Sequence, residues 1–283
     1  MSNILAVGVA TLDIISLVKT YPEEDSEIRA LTQRRARGGN AANTLVILSQ
    51  LGHAAHWAGV LPQSSDADWV AADLQRYGVC LDAVSHVKQG SLPVSHILLS
   101  QATGSRSIVH YRNLPEYSLD QFKSLNLAAF DWVHFEGRNV PDLGKMLEMV
   151  KRKGMACSLE VEKPREGMEK LFHWPDVLLF SRNYVQHKGF DSAESFLQQA
   201  KFKNQKIFVS WGEQGAWAKA GQQQMLHCRH KVSKVVDSVG AGDVFNAGVI
   251  HGLCSGQALA EVLNTASHLA AQHCARQGFD LET

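Results

Sequence analysis

The chain has 283 residues, of which 45% are apolar, and its 28 Lys and Arg balance its 28 Asp and Glu. That length suits one large or two small domains with a sizeable core, and the absent net charge gives no global field to attract nucleic acid or an anionic membrane. No apolar run reaches the roughly eighteen residues of a membrane helix, and five scattered cysteines without a C-x-x-C pair argue against a disulfide framework or zinc site, so a cytoplasmic protein is expected.

Ile4-Leu5-Ala6-Val7-Gly8-Val9 is a continuous apolar run, the pattern of a strand buried on both faces of a parallel sheet. Asp13 follows beyond its carboxyl end, where open α/β sheets bind ligands, and is either a turn aspartate or an acceptor for a substrate hydroxyl. Residues 14–18 predict a second extended stretch leaving the body, and the acidic residues 21–27, with Pro22, read as a loop. Arg37-Gly38-Gly39-Asn40 opens a helix through Ala41, Leu45, Val46, Leu48 and Leu51, closed by Gly52. Asn40 and Asn43 lie one turn apart at its start, as a glycine turn with its cap or as amides offered to a polyol. A strand near Trp57, a loop over 62–66 and a helix over 68–77 follow.

Residues 91–100 and 104–112 form the clearest hairpin. Arg106 on it is either a surface arginine or a guanidinium for a transferring phosphate. Combined with the extended segments of about 10–37, the hairpin within about 90–113 predicts a small antiparallel lid. Its uncovered edge and face invite a second copy. Strands at Trp132-Val133-His134-Phe135, Ala156-Cys157-Ser158-Leu159, Val177-Leu178-Leu179-Phe180 and Ile207-Phe208-Val209-Ser210 then alternate with helices, one of them over 146–153. Their ends collect Glu136, Arg138, Asn139, Glu160, Glu162 and Arg165 on one edge, as a solvated rim or as a site for magnesium, phosphate and sugar. Gly212 and Gly215 suit a backbone brought close to a nucleotide.

Asp237-Ser238-Val239-Gly240-Ala241-Gly242-Asp243 precedes a buried helix running through Phe245, Val249 and Ile250. Gly240 and Gly242 therefore lie at a helix N-terminus, whose unpartnered N–H groups can cradle an anion. Asp243 suits the helix dipole, yet beside a phosphate it would repel unless used, as a general base would be. Phe245 stands where a dinucleotide fingerprint needs its third glycine, and no P-loop spelling occurs. A last helix over 257–276 buries Leu259, Val262, Leu263, Ala266 and Leu269.

Asp237-x-x-Gly240-Ala241-Gly242-Asp243 with Phe245, and Gly38-Gly39-Asn40-Ala41-Ala42-Asn43, resemble the two signatures of the ribokinase-like (PfkB-type) carbohydrate kinases. Glu24-Asp25-Ser26-Glu27, Gly104-Ser105-Arg106, Glu136-Gly137-Arg138-Asn139, Val161-Glu162-Lys163-Pro164-Arg165 and Gln277-Gly278-Phe279-Asp280 resemble the ketohexokinase (fructokinase) branch, so the resemblance spans the chain. It implies one sugar kinase domain over 1–283, an α/β fold with a mostly parallel central sheet, helices on both faces and the small antiparallel β lid. The implied reaction is ATP-dependent phosphorylation of a sugar hydroxyl, foremost D-fructose to its 1-phosphate. Asp243 would be the base, with Gly240, Ala241, Gly242 and Arg106 stabilising the phosphoryl charge. Asp13, Gly39, Asn40, Asn43 and Glu136 would bind sugar, and Asp25 would reach a partner's site in a homodimer built through the lid. Gly212, Gly215, Ala216, Gly240, Gly242, Phe245 and Cys274 would bind ATP, with Ser267 and Ala271 near the adenine.

The family's N-x-x-E is replaced by Ser181-Arg182-Asn183-Tyr184, with Asn183 and Gln186 out of register. Glu136 or Glu160 would then serve Mg2+, and K+ is a further candidate cofactor. The rival readings are a ribokinase, a nucleoside kinase, a sugar-phosphate kinase with Arg138 or Arg165 pointing inward, and a catalytically silent sugar-binding regulator.

Overall fold

Strand β1 (Asn3–Val7) sets the architecture of the computed structural model, which describes residues 1–200 and 205–281. Ile4 and Ala6 point into one core and Leu5 and Val7 into another, so from Ile4 onward the strand needs apolar side chains at successive positions. It pairs in parallel with β4 (Ala54–Ala58) and β9 (Trp132–Glu136). Beyond β9 come β10 (Ala156–Val161), β11 (Val177–Ser181) and β12 (Lys206–Ser210), all parallel. Antiparallel β13 (Ala216–Ala220) and β14 (Leu226–Cys228) complete an eight-stranded sheet.

Helices cover both faces. On one, α1 (Asn40–Gln50), α2 (Ser65–Arg76), α7 (Ala241–Cys254) and α8 (Leu259–Cys274) bring in Leu45, Leu74, Val249 and Val262. On the other, α3 (Leu119–Lys123), α4 (Val140–Arg152), α5 (Arg182–His187) and α6 (Ala193–Gln199) bring in Phe122, Leu147, Val185 and Leu197. Helix α7 is packed tightly enough that a Cβ on Gly248 would sit 2.6 Å from Ala266 Cα. Among the described residues no helix is long and apolar enough to cross a membrane.

Three helix boundaries differ from the pattern reading. Helix α4 begins at Val140 rather than 146, because Pro141 in a first turn sacrifices no hydrogen bond. Helix α2 begins at Ser65, where the Ser64 hydroxyl accepts from Ala67 N–H and Asp66 and Asp68 favour the dipole. Helix α8 is shorter than 257–276, starting where Glu261 accepts the Ala258 N–H at 2.9 Å.

The lid is a separate sheet in the order β3-β2-β7-β8, from β2 (Thr11–Val18), β3 (Thr32–Gly38), β7 (Val94–Ser100) and β8 (Arg106–Tyr111). Its β2–β3 and β7–β8 pairings are antiparallel, and the two segments join through a parallel β2–β7 ladder because both strands run out from the body in the same direction. The two-residue period of β8 turns Arg106, Ile108 and His110 inward and Val109 and Tyr111 outward. A short parallel pair, β5 (Val60–Pro62) and β6 (Ser85–Val87), stands apart from both sheets.

Candidate active site

The carboxyl ends of the parallel strands, the lid and the start of α7 enclose a cavity of about 480 Å³. A second cavity of about 510 Å³ opens between the β12–β13 turn and α8. Ala241, Gly242, Ser238 and Arg106 border both, so the glycine loop is the wall between them.

Asp13 is buried in the first cavity's lid wall, where it accepts from Thr11 Oγ1 at 2.9 Å. Burial raises its pKa, and Thr11, Ser95, His110 and Arg37 work against that shift. Gly38 is obligatory beside it, since a Cβ would overlap the Asp13 carboxylate and Thr11 hydroxyl. Gly39 has φ +100°, and a Cβ there would strike the Val9 carbonyl. This turn delivers Asn40 and Asn43 to the floor. Asn40 Nδ2 donates to Glu160 Oε1 at 3.0 Å and to Glu162 Oε2 at 3.3 Å. Asn43 Nδ2 donates to Asp243 Oδ2 at 2.6 Å, and Thr44 Oγ1 donates to the Asp243 carbonyl at 3.3 Å.

Gly240, with φ +82°, is the N-cap of α7, and no side chain caps the helix. Its first amides therefore face the cavities without an acceptor inside the helix, an arrangement that attracts an anion. The loop is braced from below. Asp237 accepts from Val239 N–H at 2.9 Å and from Arg34 Nη2 at 2.5 Å, and the Val239 carbonyl meets His273 Nε2 at 2.6 Å. Arg106 reaches down from the lid and donates to Ser238 Oγ at 3.0 Å.

Asp243 and Glu160 both have pKa values well above the ordinary carboxylate range, because burial penalises their charge and neighbouring carboxylates add to the effect. Burial also raises Glu136, which accepts from Val9 N–H at 2.9 Å and pairs with Arg138 at 3.4 Å. Among the described residues no three His, Cys, Asp or Glu side chains stand close enough to chelate an ion by themselves. Magnesium keeps several waters and needs only one or two carboxylates besides phosphate oxygens. Glu160 suits it best, since its buried Oε2 has no hydrogen-bond partner, whereas both Glu136 oxygens are engaged. Of the substitutes for N-x-x-E, Asn183 borders the first cavity and Gln186 is exposed.

The second cavity is bordered by Gly212, Gly215, Ala216, Gly242, Phe245, Ser267, Ala271 and Cys274, the expected nucleotide set apart from Gly240, which borders only the first. Gly215 also has a purely structural duty, since a Cβ there would overlap the Cys228 carbonyl of the neighbouring strand. Asp25 borders neither cavity; it sits at φ 59° on the exposed loop between β2 and β3.

A family model for pfkB family carbohydrate kinases matches residues 1–282. The chain belongs to this family. This pfkB-family chain is 38% identical to mouse ketohexokinase over 98% of each protein. Its fold is shared with the Giardia lamblia ribokinase (TM-score 0.85, 14% identity, 99% of this chain and 96% of that one). It is shared as well with Arabidopsis thaliana ribokinase complexed with ribose and ATP (TM-score 0.79, 20% identity, 98% and 94%). The protein is accordingly an ATP-dependent carbohydrate kinase.

Asn246, Arg37 and Glu116 are among the residues of this pfkB-family site that escaped the sequence reading, with Thr11, Ser95 and His110 around Asp13. Asn246 donates to Glu160 Oε1 at 3.1 Å; the signal was there, an amide inside an otherwise apolar helix. Arg37, which looked like a mere helix entry, is fully enclosed and donates to Asn43 Oδ1. Glu116 has one oxygen between two arginines, 2.7 Å from Arg112 Nη1 and 3.0 Å from Arg138 Nε, and nothing in its local sequence announces that.

Proposed function

We propose that this kinase transfers the γ-phosphoryl group of ATP to the 1-hydroxyl of a ketose, D-fructose foremost, with Asp243 as the general base. The observation that carries the mechanism is the glycine loop, whose helix-start amides stand between two cavities while Asp243 borders the more polar one. The likeness to mouse ketohexokinase supports the choice of sugar.

In this reading Asp13 accepts hydrogen bonds from sugar hydroxyls, and Gly39, Asn40, Asn43 and Glu136 complete that wall. The second cavity takes the nucleotide, through Gly212, Gly215, Ala216, Gly242, Phe245 and Cys274. Asp243 draws the proton from the attacking hydroxyl, while the backbone amides from Ala241 to Asp243, in the turn opened by Gly240, and the Arg106 guanidinium stabilise charge on the phosphoryl oxygens. Glu160, with Glu136 beside it, would hold Mg2+ through water, and the ion would offset the charge of the nucleotide phosphates. No part is assigned to K+, because Asp237 and the Val239 carbonyl, the oxygens bracing the loop, are committed to Arg34 and His273. The lids of two copies would pair through the outward Val109 and Tyr111, bringing Asp25 toward the partner's site in a cytoplasmic homodimer. A monomer in sedimentation equilibrium would remove that part of the reading.

The test is ADP release from Mg-ATP across D-fructose, other ketohexoses, ribose, adenosine and fructose phosphates. Fructose is expected to lead. A different leading substrate moves the specificity, and ATP binding without turnover favours a silent regulator.

An uncharged sugar is also favoured by how two of the pocket's arginines are neutralised. Arg112, Arg138 and Arg165 all border the cavity; the first two are ion-paired with Glu116, and Arg165 gives its Nε to the Gly137 carbonyl at 2.8 Å. Glu116→Gln loosens both guanidiniums, so the preference for fructose over its phosphates, read as a kcat/KM ratio, is expected to narrow about tenfold. An unchanged ratio would show that Glu116 takes no part in selecting against phosphates.

A further inference from the structure

We propose that Arg37 is a positioning residue for phosphoryl transfer, fixing the Asn43 amide and, through it, the direction in which the Asp243 carboxylate faces. The inference rests on Asp243 being the base. Arg37 is the penultimate residue of β3, just before the glycine turn, and does not border the sugar-sized cavity. Its side chain is buried, Nε donates to Asp73 Oδ2 on α2 at 2.9 Å, and the guanidinium lies 5.0 Å from the Phe279 ring centre. The remaining reach goes inward, where Nη1 donates to Asn43 Oδ1.

A guanidinium has donors and no acceptor, so the amide atom that meets it must be the oxygen. The Asn43 nitrogen is thereby turned to Asp243, which it reaches at Oδ2, 2.6 Å away. With Oδ2 held, Oδ1 is the oxygen presented to an incoming hydroxyl. A neutral side chain at 37 that could also accept would let the amide turn over. Its oxygen would then face the carboxylate, and two acceptors would push the base out of line. General-base catalysis depends on that line being within hydrogen-bond reach and angle of the proton. The Arg37 charge also opposes the rise that burial, Glu162 and Glu136 impose on Asp243.

The experiment compares Arg37→Met, Arg37→Gln and Arg37→Lys in the full chain, by steady-state kinetics with Mg-ATP and the leading sugar of the panel. The Met and Gln variants are expected to lose kcat by about 10²-fold, with KM for ATP, whose cavity Asn43 does not border, changed less than about threefold. Lysine, donor-only like arginine, is expected to recover about tenfold or more of the kcat that Gln loses. A folded Met or Gln variant with wild-type kcat, or a Lys variant no better than Gln, overturns the proposal. Should Met fail to fold, the Lys and Gln pair decides alone. A wild-type enzyme silent on the whole panel, or an active Asp243→Asn, would instead strike the reading of the base, and this inference would fall with it.

Discussion

Asp243→Asn is expected to lose about 10²- to 10⁴-fold in kcat, the range that a positioned base contributes, while ATP still binds, as calorimetry would show. The amide keeps the side chain's shape and can still accept from Asn43 Nδ2, but it cannot take a proton. The same substitution is expected to leave the melting temperature of the ligand-free protein at or above wild type at neutral pH. Asp243 is buried and its pKa is raised by that burial, so its ionised form is a cost to the folded state. The folded chain binds this proton more firmly than the unfolded chain does. Its contribution to stability is therefore complete below the ordinary carboxylate pKa and is lost as pH rises through the raised value. The variant's advantage should accordingly shrink as the melting experiment is moved to acid pH. Activity runs the opposite way, since a base must be ionised, and the acid limb of kcat/KM should lie above the ordinary carboxylate range. Near wild-type turnover in the variant would sink the assignment.

Gly240→Ala and Gly242→Ala are expected to fail in different ways, though the two residues are separated by a single position. Gly240 has φ +82° and a Cβ there would overlap the Phe279 ring. The left-handed backbone and the forced repacking together cost about 2–5 kcal/mol, so the melting temperature should fall by several degrees and activity with it. Gly242 has nothing within 4 Å of a built Cβ and lies in the first turn of α7. Alanine there should leave the melting temperature unchanged or slightly higher. Its methyl group, however, stands beside amides offered to the phosphoryl oxygens, and a loss of about 10²-fold in kcat/KM is expected. Equal melting temperatures for the two variants, or a fully active Gly242→Ala, would break the division between a glycine needed by the fold and one needed by the site.

The sheet was legible because β1 and its parallel neighbours are mostly apolar on both faces, and the loop was legible because Gly240 and Gly242 stand where an apolar helix begins. The β7–β8 hairpin could be read from its β-rich segments and turn, but the β2–β3 ladder and the parallel β2–β7 seam could not, since Thr32–Gly38 has no apolar alternation and composition carries no strand direction. Pro141 concealed the first turn of α4, because a proline is a breaker inside a helix and harmless at its start. Arg37 and Glu116 were hidden for another reason. What each does depends on partners brought in from elsewhere in the fold, and a buried guanidinium looks like any other arginine in one dimension.

The hydrogen bond between Asn43 and Asp243 joins residues 200 positions apart, and α7 and α8, the last helices of the chain, cover the same sheet face as α1. During synthesis, at about 5–20 residues per second, α1 and the strands beneath it must wait for residues 241–274 before that face is closed. A nascent chain stopped earlier displays a broad apolar surface and lacks the helix start that walls both cavities. Sugar and nucleotide could therefore steady only a polypeptide already extended past residue 274, and earlier lengths would gain nothing from either ligand.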